Sequence, residues 1–105
     1  MNKPKYFPTE LEILGYTWKV LYIEGTSLNK DDPDEEVDGY MDITRGEISI
    51  NLLAGNRDRI REILFHEILE AIHCLLDMEL EHRDLSNLSV GLHQVFRDND
   101  FLKGL

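Results

Sequence analysis

The chain predicts an α+β domain, and three observations carry that prediction. The first quarter alternates apolar and polar positions and is rich in β-branched and aromatic residues. A second alternating stretch is broken by a Thr-Arg-Gly turn, and the last half holds two segments with apolar residues at helical spacing. Strands that come first and helices that come after indicate α+β rather than alternating βαβ units. The expected architecture is a small, mostly antiparallel sheet of about four strands packed on the apolar side of a long helix. A second helix closes that helix's other side.

Each element has its own justification. Residues 1–8 read as an N-terminal tail. From Thr9 to Ile23, Leu11, Ile13, Tyr16, Trp18, Val20 and Tyr22 mark two short strands that meet at Gly15. Residues 24–38 contain turn formers, a proline and clustered carboxylates, so an exposed, mobile acidic loop is expected. Its Asp31–Gly39 stretch has the alternate carboxylates of a calcium loop but lacks the distal bidentate Glu and the flanking helices. Gly39–Ile43, Thr44-Arg45-Gly46 and Glu47–Leu52 then form a β-hairpin. Trp18 and Tyr40 belong to the core or a sheet face.

Asn56 is the expected N-cap of a first helix spanning roughly 57–79. Asp84 is the expected cap of a second helix spanning roughly 85–98, on which Leu85, Leu88, Leu92, Val95 and Phe96 recur at helical spacing. Gly91 in its middle hints at close helix packing, and His93 is assigned to the outer face. No internal repeat or long linker divides the chain, so residues 1–105 form one domain.

A net charge of −10, from 21 acidic and 11 basic residues, opposes binding to phosphate backbones. Nucleic acid is therefore not an expected partner, whereas a basic protein is. The lone Cys74 excludes an internal disulfide and suits a reducing compartment, and its apolar neighbours assign it to the core. The start Met-Asn-Lys-Pro-Lys is followed by no apolar core, and no run approaches about 18 apolar residues. A cytoplasmic protein without a membrane partner is expected.

The most informative stretch is His66-Glu67-Ile68-Leu69-Glu70-Ala71-Ile72-His73. Ile60, Leu64, Ile68, Ala71, Ile72 and Leu75 spread around more than half of this helix, which is therefore buried on most sides. Arg59, His66, Glu70, His73 and Asp77 share the remaining stripe, and Glu67 falls at its edge. His66 and Glu70, four residues apart, point the same way. The metalloprotease pattern H-E-x-x-H supplies two zinc ligands at this spacing and a general base after the first His. Here the second His is Glu70, giving H-E-x-x-E, and zinc accepts carboxylate as well as imidazole. A third ligand is needed, with His73, Glu81, His82, Asp84 and His93 as candidates. His73 lies seven residues from His66, a rise of about 10 Å, so the three on one straight helix are strained. His82, where the chain turns before the second helix, is preferred, with Asp84 or His73 orienting an imidazole.

Gly39-Tyr40, the Glu47–Asn51 strand, His66–Ile72, Leu80-Glu81-His82, and Leu88 through Gln94-Val95 to Asp98-Asn99 together resemble a known family. It is that of small phage and mobile-element zincin-like metallopeptidases, distant relatives of ImmA/IrrE-like and other minimal gluzincin-type domains. The resemblance covers about residues 38–99. It implies His66, Glu70 and His82 as metal ligands and Glu67 as base, with zinc as the metal, though iron, manganese or nickel would accept the same donors. The expected function is that of a zinc-dependent peptidase-like hydrolase. Water is activated to attack a peptide carbonyl, and Glu67 takes its proton. Tyr22, Tyr40 and Arg83 are candidate oxyanion donors. The alternative is a non-catalytic protein, metal-bound or metal-free, whose acidic surface binds and regulates a host protein.

Overall fold

The computed structural model describes residues 7–99. It is an α+β domain in the order β1 (Glu10–Ile13), β2 (Tyr16–Ile23), β3 (Gly39–Asp42), β4 (Glu47–Asn51), α1 (Arg57–Leu75) and α2 (His82–Asp98). The four strands form one sheet in the order β1-β2-β4-β3. The β1–β2 and β3–β4 pairs are antiparallel, as local alternation predicts, whereas β2 and β4 run parallel, with Val20 opposite Ile48 and Tyr22 opposite Ile50.

Turn chemistry sets both hairpins. Leu14 (φ 51°) and Gly15 (φ 84°) both adopt left-handed backbone between β1 and β2, the two-residue geometry whose twist matches the flanking strands. Between β3 and β4, the Asp42 carboxylate accepts hydrogen bonds from the Arg45 amide (3.1 Å) and guanidinium (2.6 Å), and Gly46 supplies a φ of 64°.

One sheet face carries Trp18, Val20, Ile48 and Ile50 against Ile60, Ile63, Leu64 and Ala71 of α1. Helix α2 packs on α1 and on no strand, so α1 is sandwiched between sheet and α2, as expected. The tail assigned to residues 1–8 is corrected at its end. Phe7 is buried and stacks on Tyr22 (centroids 5.4 Å apart), and the Tyr22 hydroxyl donates to the Pro8 carbonyl (2.6 Å); residues 1–6 lie outside the described residues.

The 24–38 loop is not simply solvated. Residues 31–36 are exposed, but Leu28 is buried. The buried Asn51 side chain accepts from the Gly25 amide (3.0 Å) and donates to Asp38 Oδ1 (3.0 Å), and Lys30 pairs with Glu47 (2.8 Å). These bonds pin the loop to the sheet.

The Asn56 side chain caps α1 by accepting from the Arg59 amide (3.0 Å), as expected. The helix ends at Leu75 rather than near 79. Asp77 turns left-handed (φ 51°), while the Met78 amide donates to the His73 carbonyl and the Asp77 amide to that of Cys74, a Schellman closure. Cys74, expected in the core, is exposed in that last turn, where neither sheet nor α2 covers it.

Helix α2 begins at His82, three residues before the expected 85. The amides of Asp84 and Leu85 both donate to the Glu81 carbonyl, so Glu81 is the N-cap and Asp84 sits in the first turn. A negative charge there suits the helix dipole. Gly91 makes no close packing, since a Cβ built on it meets nothing within 4 Å. His93, expected outside, is 4% exposed and buried with Leu85 and Ser89, while Leu88, Leu92 and Val95 are exposed.

Candidate metal centre

Helix α1 presents His66 and Glu70 one turn apart, and the first residue of α2 comes down beside them. His66 Nε2 lies 3.6 Å and His82 Nδ1 3.5 Å from Glu70 Oε1, and the two imidazoles meet edge to face with centroids 4.8 Å apart. All three donor atoms fall within 4.8 Å of one another. Those two separations exceed ordinary hydrogen-bond lengths. They are close to the spacing of about 3.3 Å between two ligands on a tetrahedral ion with bonds of 2.0–2.1 Å. Two imidazoles and one carboxylate are also a donor set that divalent zinc accepts, so the residues fit such an ion.

The protonation tendencies agree with ligation. Burial holds the His66 pKa below its ordinary value, outweighing the opposing pull of Glu70, and the nearby charges of His82 and Arg59 push the same way. A neutral ring keeps the lone pair that a metal needs. His82 is open to solvent, with 78% of its side chain exposed.

Glu67 stands behind this cluster. Only 7% exposed, it has no hydrogen-bond or ion-pair partner among the described residues. Burial, with a smaller push from Glu70, raises its pKa to about 8. It lines two cavities, both of which His66, His82 and Gly39 also border. The smaller, about 210 Å³, is bounded by Gly39, Tyr40 and Met41 of β3 and by the ligand cluster. The larger, about 340 Å³, runs between α1 and α2 toward Arg59, Glu62, Ser86 and Ser89.

The sequence did not single out Gly39 as part of the site. A Cβ there would stand 2.7 Å from Glu67 Oε2 and 2.7 Å from Ile63 Cγ2, so bare backbone at the start of β3 forms the wall against which the carboxyl lies. A glycine opening a strand is the signal that could have found it, since it marks close approach of another group.

The other candidates lie elsewhere. His73 Nε2 accepts from the Leu80 amide (3.2 Å), which ties the turn between the helices and leaves His73 outside the cluster. Glu81 caps α2 and pairs loosely with Arg83 (3.9 Å). Asp84 bonds to no imidazole among the described residues, and His93 lies at the far end of the α1–α2 seam, 3.9 Å from Asp58. Arg59 pairs with Glu62 (3.0 Å) rather than with Glu70.

None of the expected oxyanion donors presents its polar group here. The Tyr22 hydroxyl is engaged with Pro8. Arg83 lines neither cavity. Tyr40 borders the smaller cavity, but strand alternation puts its side chain with Asp42 on the sheet face opposite Gly39 and Met41. Its pKa is raised by burial and by the charges of Asp42, Glu35 and Asp31.

In comparisons with family models, curated proteins and solved structures, nothing matches this chain. Among the described residues, no helix is long and apolar enough to cross a membrane.

Proposed function

We propose that this protein is a metal-dependent hydrolase of peptide bonds, with His66, Glu70 and His82 holding a divalent ion, zinc by preference, and Glu67 as general base. The observation that carries the reading is Glu67 itself. A glutamate that is only 7% exposed, whose carboxyl has no partner among the described residues and borders the cavity beside three clustered donors, serves no evident structural purpose. A site that only held metal for stability would not require it.

Zinc at such a donor set supplies Lewis acidity, bringing water into reach of deprotonation near neutral pH and polarising a carbonyl. Every other part of the chemistry belongs to the chain. The Glu67 carboxyl, held against Gly39, takes a proton from water in the cavity and returns it to the departing amine. A cation among the neighbouring donors draws its pKa down from about 8 toward the range a base needs.

The substrate's extended form follows from β3, which is the sheet edge beside the cluster. The Asn51 amide donates to the Asp38 carbonyl (2.8 Å), so ladder alternation turns the main-chain groups of Gly39 and Met41 away from β4. An extended peptide can add to that edge and pass its carbonyl over the cluster. Cytoplasmic residence, and a role in a phage or mobile element, belong to the same proposal.

Elemental mass spectrometry of the untagged protein and of His66→Ala and His82→Ala variants tests the centre. The expected result is about one zinc per chain, lost in both variants while both stay folded. Glu67→Gln is expected to retain the metal and lose at least about 100-fold in peptide hydrolysis. Unchanged turnover in Glu67→Gln would remove the base assignment. Metal-free protein with intact binding of a host protein would support the non-catalytic alternative instead.

A further inference from the structure

The larger cavity extends about 10 Å along α1 beyond the ligand cluster, from His66 back to Arg59. It therefore has room for a side chain flanking the bond that the cluster would act on. Val37, Ile63 and Val90 give it apolar walls, and the small Ser89 and Ser86 of α2 leave it open. Its charge is one-sided. Arg59 is its one permanently cationic lining residue among the described residues, and Glu62 neutralises it at 3.0 Å. Among the described residues Asp38 lines the cavity without a cationic partner, its Oδ1 accepting from the neutral Asn51 amide. In the loaded centre a divalent ion offsets Glu70 and Glu67, so the remaining field of the cavity stays negative. Glu67, buried and unpaired, closes its inner end.

We propose that this cavity is the subsite for a lysine or arginine side chain, and that the substrate is accordingly a basic segment of a protein. The aliphatic stem lies between Val37, Ile63 and Val90, and the cationic head meets Asp38. Basic side chains are suited to such a place because a long apolar stem carries a charge that stays partly hydrated. The net charge of −10 adds a long-range attraction for a basic partner. This inference rests on the hydrolase reading of the adjoining cluster.

The test measures binding rather than turnover, so the two readings can fail separately. Blocked pentapeptides Ac-Ala-Ala-Xaa-Ala-Ala-NH2, with Xaa as lysine, norleucine or glutamate, are titrated into zinc-loaded and chelator-treated Glu67→Gln protein and followed by amide NMR shifts. The lysyl peptide is expected to bind about tenfold tighter than the norleucyl one, with shifts at Asp38, Ser89 and Val90. That preference is expected to shrink as salt rises from 50 to 500 mM. Asp38→Asn, which keeps the oxygen that Asn51 bonds, and Val90→Lys, placed at an exposed position, are each expected to abolish it. Equal or tighter binding of the norleucyl peptide, or a lysyl preference that survives both variants, overturns the subsite assignment. Absence of bound zinc with the lysyl preference intact leaves the subsite standing and removes the hydrolase reading.

Discussion

Glu67 concentrates the physics of this site in one carboxyl, and its protonation should be readable in stability. Its folded-state pKa of about 8 lies above the ordinary 4.5, with burial as the main cause. As pH rises, the unfolded chain therefore releases this proton first, and the folded state becomes progressively penalised between about pH 4.5 and pH 8. Below that window both states hold the proton and the penalty is absent. In chelator-treated protein, Glu67→Gln should therefore gain on the wild type by about 2–4 kcal/mol across the window. Urea titrations at several pH values measure it, and parallel pH profiles would contradict the assigned burial. Gly39 acts on the same group through space alone. Gly39→Ala places a methyl 2.7 Å from Glu67 Oε2 and from Ile63 Cγ2, so the carboxyl must move. The expected result is a loss of hydrolysis of about 100-fold with metal content retained, as misplacing a base by about 1 Å implies. The pairing of His66 with Glu70 was legible in the sequence because helical spacing fixes it. The role of Gly39 was not, because a residue without a side chain announces only permission for close approach.

Elements with strong local signals were legible, and those fixed by distant partners were not. The two hairpins follow from alternation and turn residues, and α1 from its cap at Asn56 and its apolar spread. The parallel register of β2 and β4 has no local signature, because it depends on the 24–38 loop carrying the chain across one sheet face. Helix α2 misled for a different reason. Its repeat of Leu88, Leu92 and Val95 predicts a buried stripe, yet α2 packs on α1 alone and its buried seam is Leu85, Ser89 and His93. Both His93 ring nitrogens are buried without hydrogen-bond partners among the described residues, and Phe65 lies alongside with centroids 5.9 Å apart. Burial holds the His93 pKa below its ordinary value. Asp58 and Glu62 pull it up, and Arg61 and Arg97 push it down. The unfolded chain therefore takes up this proton first as pH falls below about 6.5, and stability declines in that direction. His93→Leu should raise stability at neutral pH by about 1–2 kcal/mol by removing unpaired buried polar atoms, and should lessen the decline below pH 6.5. Thermal melts at pH 7.5 and pH 5.5 check both effects, and a destabilised variant at pH 7.5 would mean that the imidazole has a partner after all.

At the scale of the whole molecule, the proposed centre is also a clasp. Two of its donors stand on α1 and the third on the first residue of α2, the helix that the sheet does not touch. A ligand that binds the folded chain alone stabilises it in proportion to the logarithm of its concentration over Kd. Zinc at a hundredfold excess over Kd should thus add about 2.7 kcal/mol, which for a domain of this size raises Tm by roughly 10 °C or more. His82→Ala should abolish nearly all of that shift while leaving the metal-free Tm almost unchanged, because His82 is exposed and its one ion-pair partner among the described residues is Glu70, at 3.5 Å. Hydrogen exchange then locates the effect. Because the cluster joins α1 to α2, zinc should slow amide exchange in the first turns of α2 more than in β1 and β2, which share no donor with it. An equal slowing everywhere would mean that α2 unfolds only together with the sheet. No slowing in α2, with Tm raised all the same, would place the bound ion at some other site. The distinction matters for the proposed chemistry, since the position of α2 also fixes the Ser86 and Ser89 side of the cavity beside Glu67.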